Sequence, residues 1–75
     1  MKFAAFLNSF EKELDLKKGT FNLKKKLKHI PEWDSLAVMT FISFSSKKLK
    51  RDINPNDLNK CNYVEDLGKL LKLKN

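Results

Sequence analysis

Asp34, Ser35 and Leu36 are the residues of this chain whose types and spacing could do chemistry. They follow Pro31 and open an apolar run that extends to Phe44, a pattern that predicts the start of a helix. Asp34 is a good N-cap, because its carboxylate can accept a backbone N–H from the first turn. Ser35 would then lie at the helix N-terminus, where unpaired N–H groups and the helix dipole favour a phosphate. The segment therefore points to a protein that carries a phosphate-linked group.

Two apolar neighbours are expected to fix this helix start. We predict that Leu36 anchors the first turn, so that Ser35 points outward. Trp33 stands just before the cap and could pack on Val38 as a hydrophobic staple. No base lies at helical spacing to activate Ser35, so a separate enzyme would have to supply that chemistry.

Catalysis by the chain itself is not expected. His29 is the only histidine and Cys61 the only cysteine, so there is neither a Ser/His/Asp set nor a cluster for a metal. Two glycines in all leave no phosphate-binding loop. We interpret Cys61 as a small half-buried hydrophobe and His29 as a surface residue. The chain is predicted to be non-catalytic and to hold no metal.

Size and charge set broad limits. The chain has 75 residues, a formal net charge of +7 and 41% hydrophobic residues, enough for a small apolar core. This excess of basic residues suggests nucleic acid, a membrane surface or an acidic protein as a possible partner. No signal-type segment or bilayer-spanning stretch is visible, and one unpaired cysteine fits a reducing compartment. We therefore expect a cytoplasmic protein.

The apolar spacing predicts an all-α fold, and the length predicts a single small domain, residues 1–75. Gly and Pro total only four, while Lys and Leu dominate, which favours helices. Residues 16–33 show no sustained helical repeat and are predicted to form a long ordered loop. Its isolated apolar residues are expected to pin it over the core, and these are Phe21, Leu23, Leu27 and Ile30. The expected architecture is a small bundle of three main helices and one short helix. The predicted helices cover about 2–15, 35–50, 55–60 and 63–71.

Each main helix has a face that is expected to point inward. In the first helix these residues are Phe3, Phe6, Leu7, Phe10 and Leu14. In the second they are Leu36, Met39, Ile42 and Leu49, with Val38, Phe41 and Phe44 widening the face. In the last they are Val64, Leu67, Leu70 and Leu71, with Asn62 as the expected cap and Ile53 as an anchor before the short helix. The residues expected on the wet side include Glu11, Ser43, Ser45 and Ser46.

The chain resembles the acyl carrier protein and peptidyl carrier protein family. The signature is the triplet Asp34-Ser35-Leu36 at the start of a mid-chain helix. The form with tryptophan before the triplet, Glu-Trp-Asp-Ser-Leu at 32–36, is similar to that of stand-alone carriers. Ile53 and the segment Cys-Asn-Tyr-Val-Glu-Asp-Leu at 61–67 are similar to the family's junction between its third and fourth helices. The resemblance covers nearly the whole length.

This resemblance implies a four-helix bundle of acyl-carrier type with a 4′-phosphopantetheine arm on Ser35, flanked by Asp34 and Leu36. The thiol of the arm would hold acyl or aminoacyl groups as thioesters, in lipid or secondary-metabolite biosynthesis. The implied partners are a phosphopantetheinyl transferase that takes the arm from coenzyme A, a loading enzyme and a downstream transferase. Asp34 would also contact the first of these. We expect a monomer with no nucleic-acid partner and no stable membrane insertion.

The charge of the second helix departs from the family, whose members are usually acidic there. No acidic residue lies between Leu36 and Arg51. We therefore expect neutral or acidic partners and a specialised rather than a general fatty-acid pathway. The residues expected to contact these partners are Val38, Met39, Lys47, Lys48 and Arg51.

Two other interpretations stay open. The lysines at 24–28 and the cations at 47–51 fit a small basic module that binds nucleic acid or an anionic membrane. Against nucleic acid, Arg51 is the only arginine, and base readout favours arginine. The other possibility is a carrier-like fold that acts only as a protein-interaction module.

Overall fold

A computed structural model describes residues 1–74. It contains four α-helices, and every observed bound lies within two residues of the predicted one. A single 3-10 turn, Leu27–His29, lies in the long connection between the first two helices. The all-α prediction is confirmed, since the described residues hold no β-strand beyond one isolated bridge. The helices are α1 (Phe3–Glu13), α2 (Ser35–Leu49), α3 (Pro55–Asn59) and α4 (Val64–Leu70).

Local sequence sets the ends of the helices. α2 begins after Asp34, and it ends where Lys50 takes a left-handed conformation with a φ of 54°. α3 begins at Pro55, whose fixed φ suits a first helical position. Asn62 was wrongly expected to cap the last helix. Tyr63 is the N-cap of α4, and the Asp66 carboxylate reaches back to accept the backbone N–H groups of Asn62 and Tyr63, at 3.1 and 2.9 Å.

Aromatic rings join α1 to α2. The Phe10 ring lies 5.2 Å from that of Phe41, nearly perpendicular to it, and the Phe6 ring lies 5.3 Å from that of Phe44. All four rings are buried. Such edge and tilted pairs stabilise a core by about 0.5–1.5 kcal/mol each beyond the area they bury. This contact decides which side of α2 faces inward.

The predicted inward face of α2 was wrong in part. Leu36 and Met39 are 69% and 66% exposed, whereas Ala37 and Phe41 are buried. Ser45, which was expected in solvent, is also fully buried. The helix carries apolar residues on more than one side, and the side that contains Phe41 is the one whose rings pack against Phe6 and Phe10 of α1.

The position of Glu11 also differs from the prediction. It was expected on the wet side of the first helix, yet it is only 2% exposed. Its carboxylate accepts the backbone N–H groups of Gly19 at 3.2 Å and of Phe21 at 2.8 Å. Glu11 therefore ties the long connection to α1, and these hydrogen bonds compensate for burying the charge.

The long connection is ordered, as predicted. Phe21, Leu27 and Ile30 are buried and pin it over the core, whereas Leu23, the fourth expected anchor, is only partly buried. It also lies against the start of α4. The Leu27 N–H donates to the Asn62 carbonyl at 2.8 Å, and the Val64 N–H donates to the Lys25 carbonyl at 3.0 Å. These contacts hold the segment that leads into α2.

The two ends of the described chain meet beside α4. The Phe3 N–H donates to the Lys74 carbonyl at 2.7 Å, and the Phe3 ring packs directly over Gly68. The C-terminal part of the chain contributes three fully buried side chains to the core, those of Val64, Leu67 and Leu71. Ile53 is also buried, as expected. Among residues 1–74 no helix combines the length and the apolar character that crossing a bilayer requires.

Candidate functional site

Ser35 is the first residue of α2, and its side chain is exposed. The segment before it is fixed by Trp33, whose ring lies 5.6 Å from that of Phe41 and 5.9 Å from that of Phe21. The Trp33 N–H also donates to the carbonyl of buried Ile30 at 3.0 Å. Trp33 thus anchors the helix start to the aromatic core. The structure places its ring among the phenylalanines, whereas the sequence suggested Val38 as its main contact.

Asp34 is the N-cap of α2, as predicted. Its carboxylate accepts the Ala37 N–H at 2.9 Å, and its carbonyl accepts the Val38 N–H at 2.9 Å. The N–H groups of Ser35 and Leu36 precede the first intrahelical bond, so the helix itself cannot satisfy them. The first turn of α2 contains no acidic residue. Apart from the capping Asp34 carboxylate, no acidic side chain of this turn therefore opposes the positive end of the helix dipole beside the Ser35 hydroxyl.

Leu36 does not anchor the first turn, contrary to expectation, because its side chain lies in solvent. Ala37 does so instead. It is 2% exposed, and its N–H is the one that Asp34 caps. Ala37 follows Ser35 by two residues and therefore lies on nearly the opposite side of the helix, so the burial of Ala37 leaves Ser35 exposed. Sequence reasoning missed the burial of Ala37, because it placed Leu36 on the inward side of the first turn instead.

A shallow groove of about 170 Å³ runs beside Ser35. Sequence reasoning did not place Leu14 and Leu16 here, because only the fold of the long connection brings the end of α1 next to the start of α2. The groove offers apolar surface with two carboxylates at its rim. Its lining residues are Leu14, Leu16, Glu32, Asp34, Leu36 and Ala37.

The residues predicted to contact partners do not form one continuous surface. Met39 and Lys47 are eight positions apart, on the same exposed side of α2. Val38 is half-buried, and the Lys48 ammonium lies 5.7 Å above the centre of the Phe44 ring, on the core side of the helix end. Arg51 is exposed beyond the helix.

Cys61 and His29 are the other side chains whose chemistry the sequence singled out. Burial raises the pKa of the Cys61 thiol, and the charges of Asp66 and Asp57 raise it further, which disfavours the nucleophilic thiolate. His29 is exposed. Across the part of the chain that the structure describes, no three His, Cys, Asp or Glu side chains are grouped closely enough to hold a metal ion.

Comparisons with known proteins add no identification. A scan against protein-family models, a search of curated proteins and a search of solved structures each found no match.

Proposed function

We propose that this protein is a carrier of acyl-carrier type, which holds acyl or aminoacyl groups as thioesters on a 4′-phosphopantetheine arm attached to Ser35. The observation that carries the proposal is the exposed Ser35 hydroxyl at the first position of an aspartate-capped, 15-residue helix. The element order adds support. Three main helices, one short helix and a long connection after the first are what the family resemblance implies.

The residues around Ser35 fit a phosphodiester. The N–H groups of Ser35 and Leu36 are free to approach its oxygens, and the dipole of α2 stabilises its negative charge. The Asp34 carboxylate accepts the Ala37 N–H, which offsets part of its repulsion of the phosphate. The apolar groove beside Ser35 would accept the first carbon atoms of the arm.

In this proposal the chain is the substrate of its modifying enzyme and catalyses nothing itself. The Ser35 oxygen forms a bond to phosphorus, the pyrophosphate bond of coenzyme A breaks, and adenosine 3′,5′-bisphosphate leaves. The serine proton passes to a base of the phosphopantetheinyl transferase, since the Asp34 carboxylate next to Ser35 already accepts the Ala37 N–H. Attached in this way, the arm supplies a thiol that forms thioesters.

The proposed partners are that transferase, a loading enzyme and a downstream acyl- or aminoacyl-transferase, all acting on a monomer in the cytoplasm. Met39, Lys47, Lys48 and Arg51 are exposed and available to them. Since these cations replace the acidic residues usual in the family, we propose neutral or acidic partners in a specialised pathway.

Modification of Ser35 is tested by intact-mass measurement. The unmodified protein is incubated with coenzyme A and a broad-specificity phosphopantetheinyl transferase. We expect a gain of one phosphopantetheine group in the wild type and in Ser43→Ala, which removes an exposed hydroxyl from the same helix. Ser35→Ala should gain nothing. An unchanged wild-type mass, or an equal gain in Ser35→Ala, would refute the proposal.

A further inference from the structure

One side of α2 is exposed along its whole length. Spacings of three and four residues put its helical members on a single face of α2. This exposed stripe consists of Leu36, Met39, Ser43 and Lys47 of α2, and it continues into the exposed Lys50, the C-cap residue just beyond the helix. It begins with two large apolar side chains, 69% and 66% exposed, and ends with cations.

The stripe carries positive charge at its C-terminal end, while acidic side chains lie beside its N-terminal end. Lys47, Lys50 and the adjoining Arg51 form no ion pair within the described residues, where the single ion pair joins Lys24 to Glu65. Asp52 is the nearest acid along the chain, and its carboxylate accepts the Ser46 hydroxyl at 3.4 Å.

Near Ser35, the Asp34 carboxylate is occupied by the Ala37 N–H, and Glu32 lies at the rim of the adjacent groove. These two acids lie at the apolar end of the stripe and are distant along the helix from Lys47 and Lys50.

We propose that the exposed stripe docks this protein reversibly on anionic lipid surfaces. Lys47, Lys50 and Arg51 would lie against the negative headgroups, while Leu36 and Met39 insert among the upper acyl-chain carbons. The stripe has no acidic residue of its own, so its charge complements such a surface. The inference does not depend on the proposed arm, because it concerns the unmodified chain.

The composition of the stripe favours lipid over the other anionic partners. Protein interfaces are enriched in arginine and aromatic residues and depleted in lysine, whereas the stripe carries lysines and no aromatic residue. Nucleic-acid binding would not use Leu36 and Met39, because phosphate backbones offer no apolar layer for them. Lysine, a strongly hydrated point charge, suits the diffuse negative potential of a lipid headgroup layer.

Docking on lipid would compete with the partner enzymes proposed above, since both use Met39 and Lys47. Each cation held near an anionic surface strengthens binding about fivefold, so three cations give weak and salt-sensitive attachment. The carrier would therefore exchange between a membrane surface and its partners.

The test is sedimentation of the unmodified protein with vesicles of phosphatidylcholine alone or with a third phosphatidylglycerol. We expect binding to the anionic vesicles only, weakened by added salt. Lys47→Glu combined with Lys50→Glu should reduce that binding at least tenfold. Lys25→Glu combined with Lys28→Glu changes the net charge equally on exposed loop positions and should reduce it much less. Circular dichroism checks that both variants remain helical.

A third variant, Leu36→Ser with Met39→Ser, separates lipid docking from general attraction to polyanions. It should weaken vesicle binding several-fold and leave any binding to duplex DNA unchanged. The proposal is overturned if anionic vesicles do not bind, or if the two charge-reversal variants lose binding equally. It is also overturned if the apolar variant binds vesicles like the wild type, which would leave a polyanion-binding surface.

Discussion

The carboxylate of Glu11 accepts the backbone N–H of Phe21 at 2.8 Å, ten residues along the chain, and both residues are buried. Its other oxygen accepts the Gly19 N–H at 3.2 Å. One side chain of α1 therefore holds the turn that starts the long connection to α2. That connection carries Trp33 and positions Ser35.

Replacing Glu11 with alanine should lower the free energy of unfolding by about 2–3 kcal/mol, because two backbone N–H groups lose a charged partner. Glu11→Gln keeps one acceptor oxygen and should cost less. Urea denaturation measures both variants. Glu13→Ala, an exposed neighbour on the same helix, is the control and should change stability by less than about 0.5 kcal/mol. A Glu11→Ala variant as stable as this control would contradict the assigned clamp.

The burial of the Ser45 side chain leads us to predict that replacing it with alanine stabilises the protein. Its hydroxyl is fully buried and has no hydrogen-bond partner among residues 1–74. Burying an unpaired hydroxyl costs free energy that alanine avoids, so Ser45→Ala should raise the free energy of unfolding by about 1 kcal/mol. Thermal denaturation of Ser45→Ala is compared with that of Ser43→Ala, whose hydroxyl is exposed on the same helix. A lower melting temperature for Ser45→Ala would show that the hydroxyl has a partner after all.

Gly68 is needed for the close approach of Phe3 to α4. A Cβ at this position would lie 2.6 Å from Cδ2 of the Phe3 ring. Gly68→Ala should therefore destabilise the fold by about 1–2 kcal/mol, although alanine alone favours a helix by about 1 kcal/mol.

The pairing of Gly68 with Phe3 is tested by a double-mutant cycle measured in urea. Phe3→Leu provides space for the added methyl group, so the double variant should lose less than the sum of the two single losses. Lys69→Ala, an exposed position in the same helix, is the matched control for alanine itself. Strictly additive losses would argue against this contact.

The hydrogen bonds that the Asp66 carboxylate accepts predict that the protein loses stability in acid. The N–H groups of Tyr63 and then of Asn62 hold the pKa of the Asp66 carboxyl below its ordinary value. The unfolded chain therefore binds this proton more readily than the folded protein does. The stability that the carboxylate contributes is complete above about pH 4 and is lost as the pH falls through the lower pKa of the folded state.

Urea denaturation at about pH 7 and about pH 3 measures the Asp66 contribution. Asp66→Asn should lose stability near neutral pH and differ less from the wild type in acid. Glu13→Gln serves as the control for removing one exposed carboxylate. An Asp66→Asn variant that tracks the wild type at both values would contradict the assigned hydrogen bonds.

Local patterns in the sequence were enough to predict the helices and the start of α2. Apolar spacing, the Asp34 cap, Pro55 and the weak helical repeat of 16–33 each act over a few residues, so they can be seen without a fold. The buried anchors Phe21, Leu27 and Ile30 were predicted for the same reason. The exposed position of Ser35 was also predicted, although the reason given for it, an anchoring Leu36, was wrong.

Only the tertiary structure decided which side of α2 is buried, what Glu11 does and which residues surround Ser35. α2 carries apolar residues on more than one side, so its own sequence leaves the choice open, and the rings of Phe6 and Phe10 settle it by packing against Phe41 and Phe44. The sequence around Glu11 suggests a solvent-facing acid, and only the folded chain brings the backbone N–H groups of Gly19 and Phe21 to its carboxylate. Contacts between distant segments depend on how the whole chain packs, which no local pattern contains.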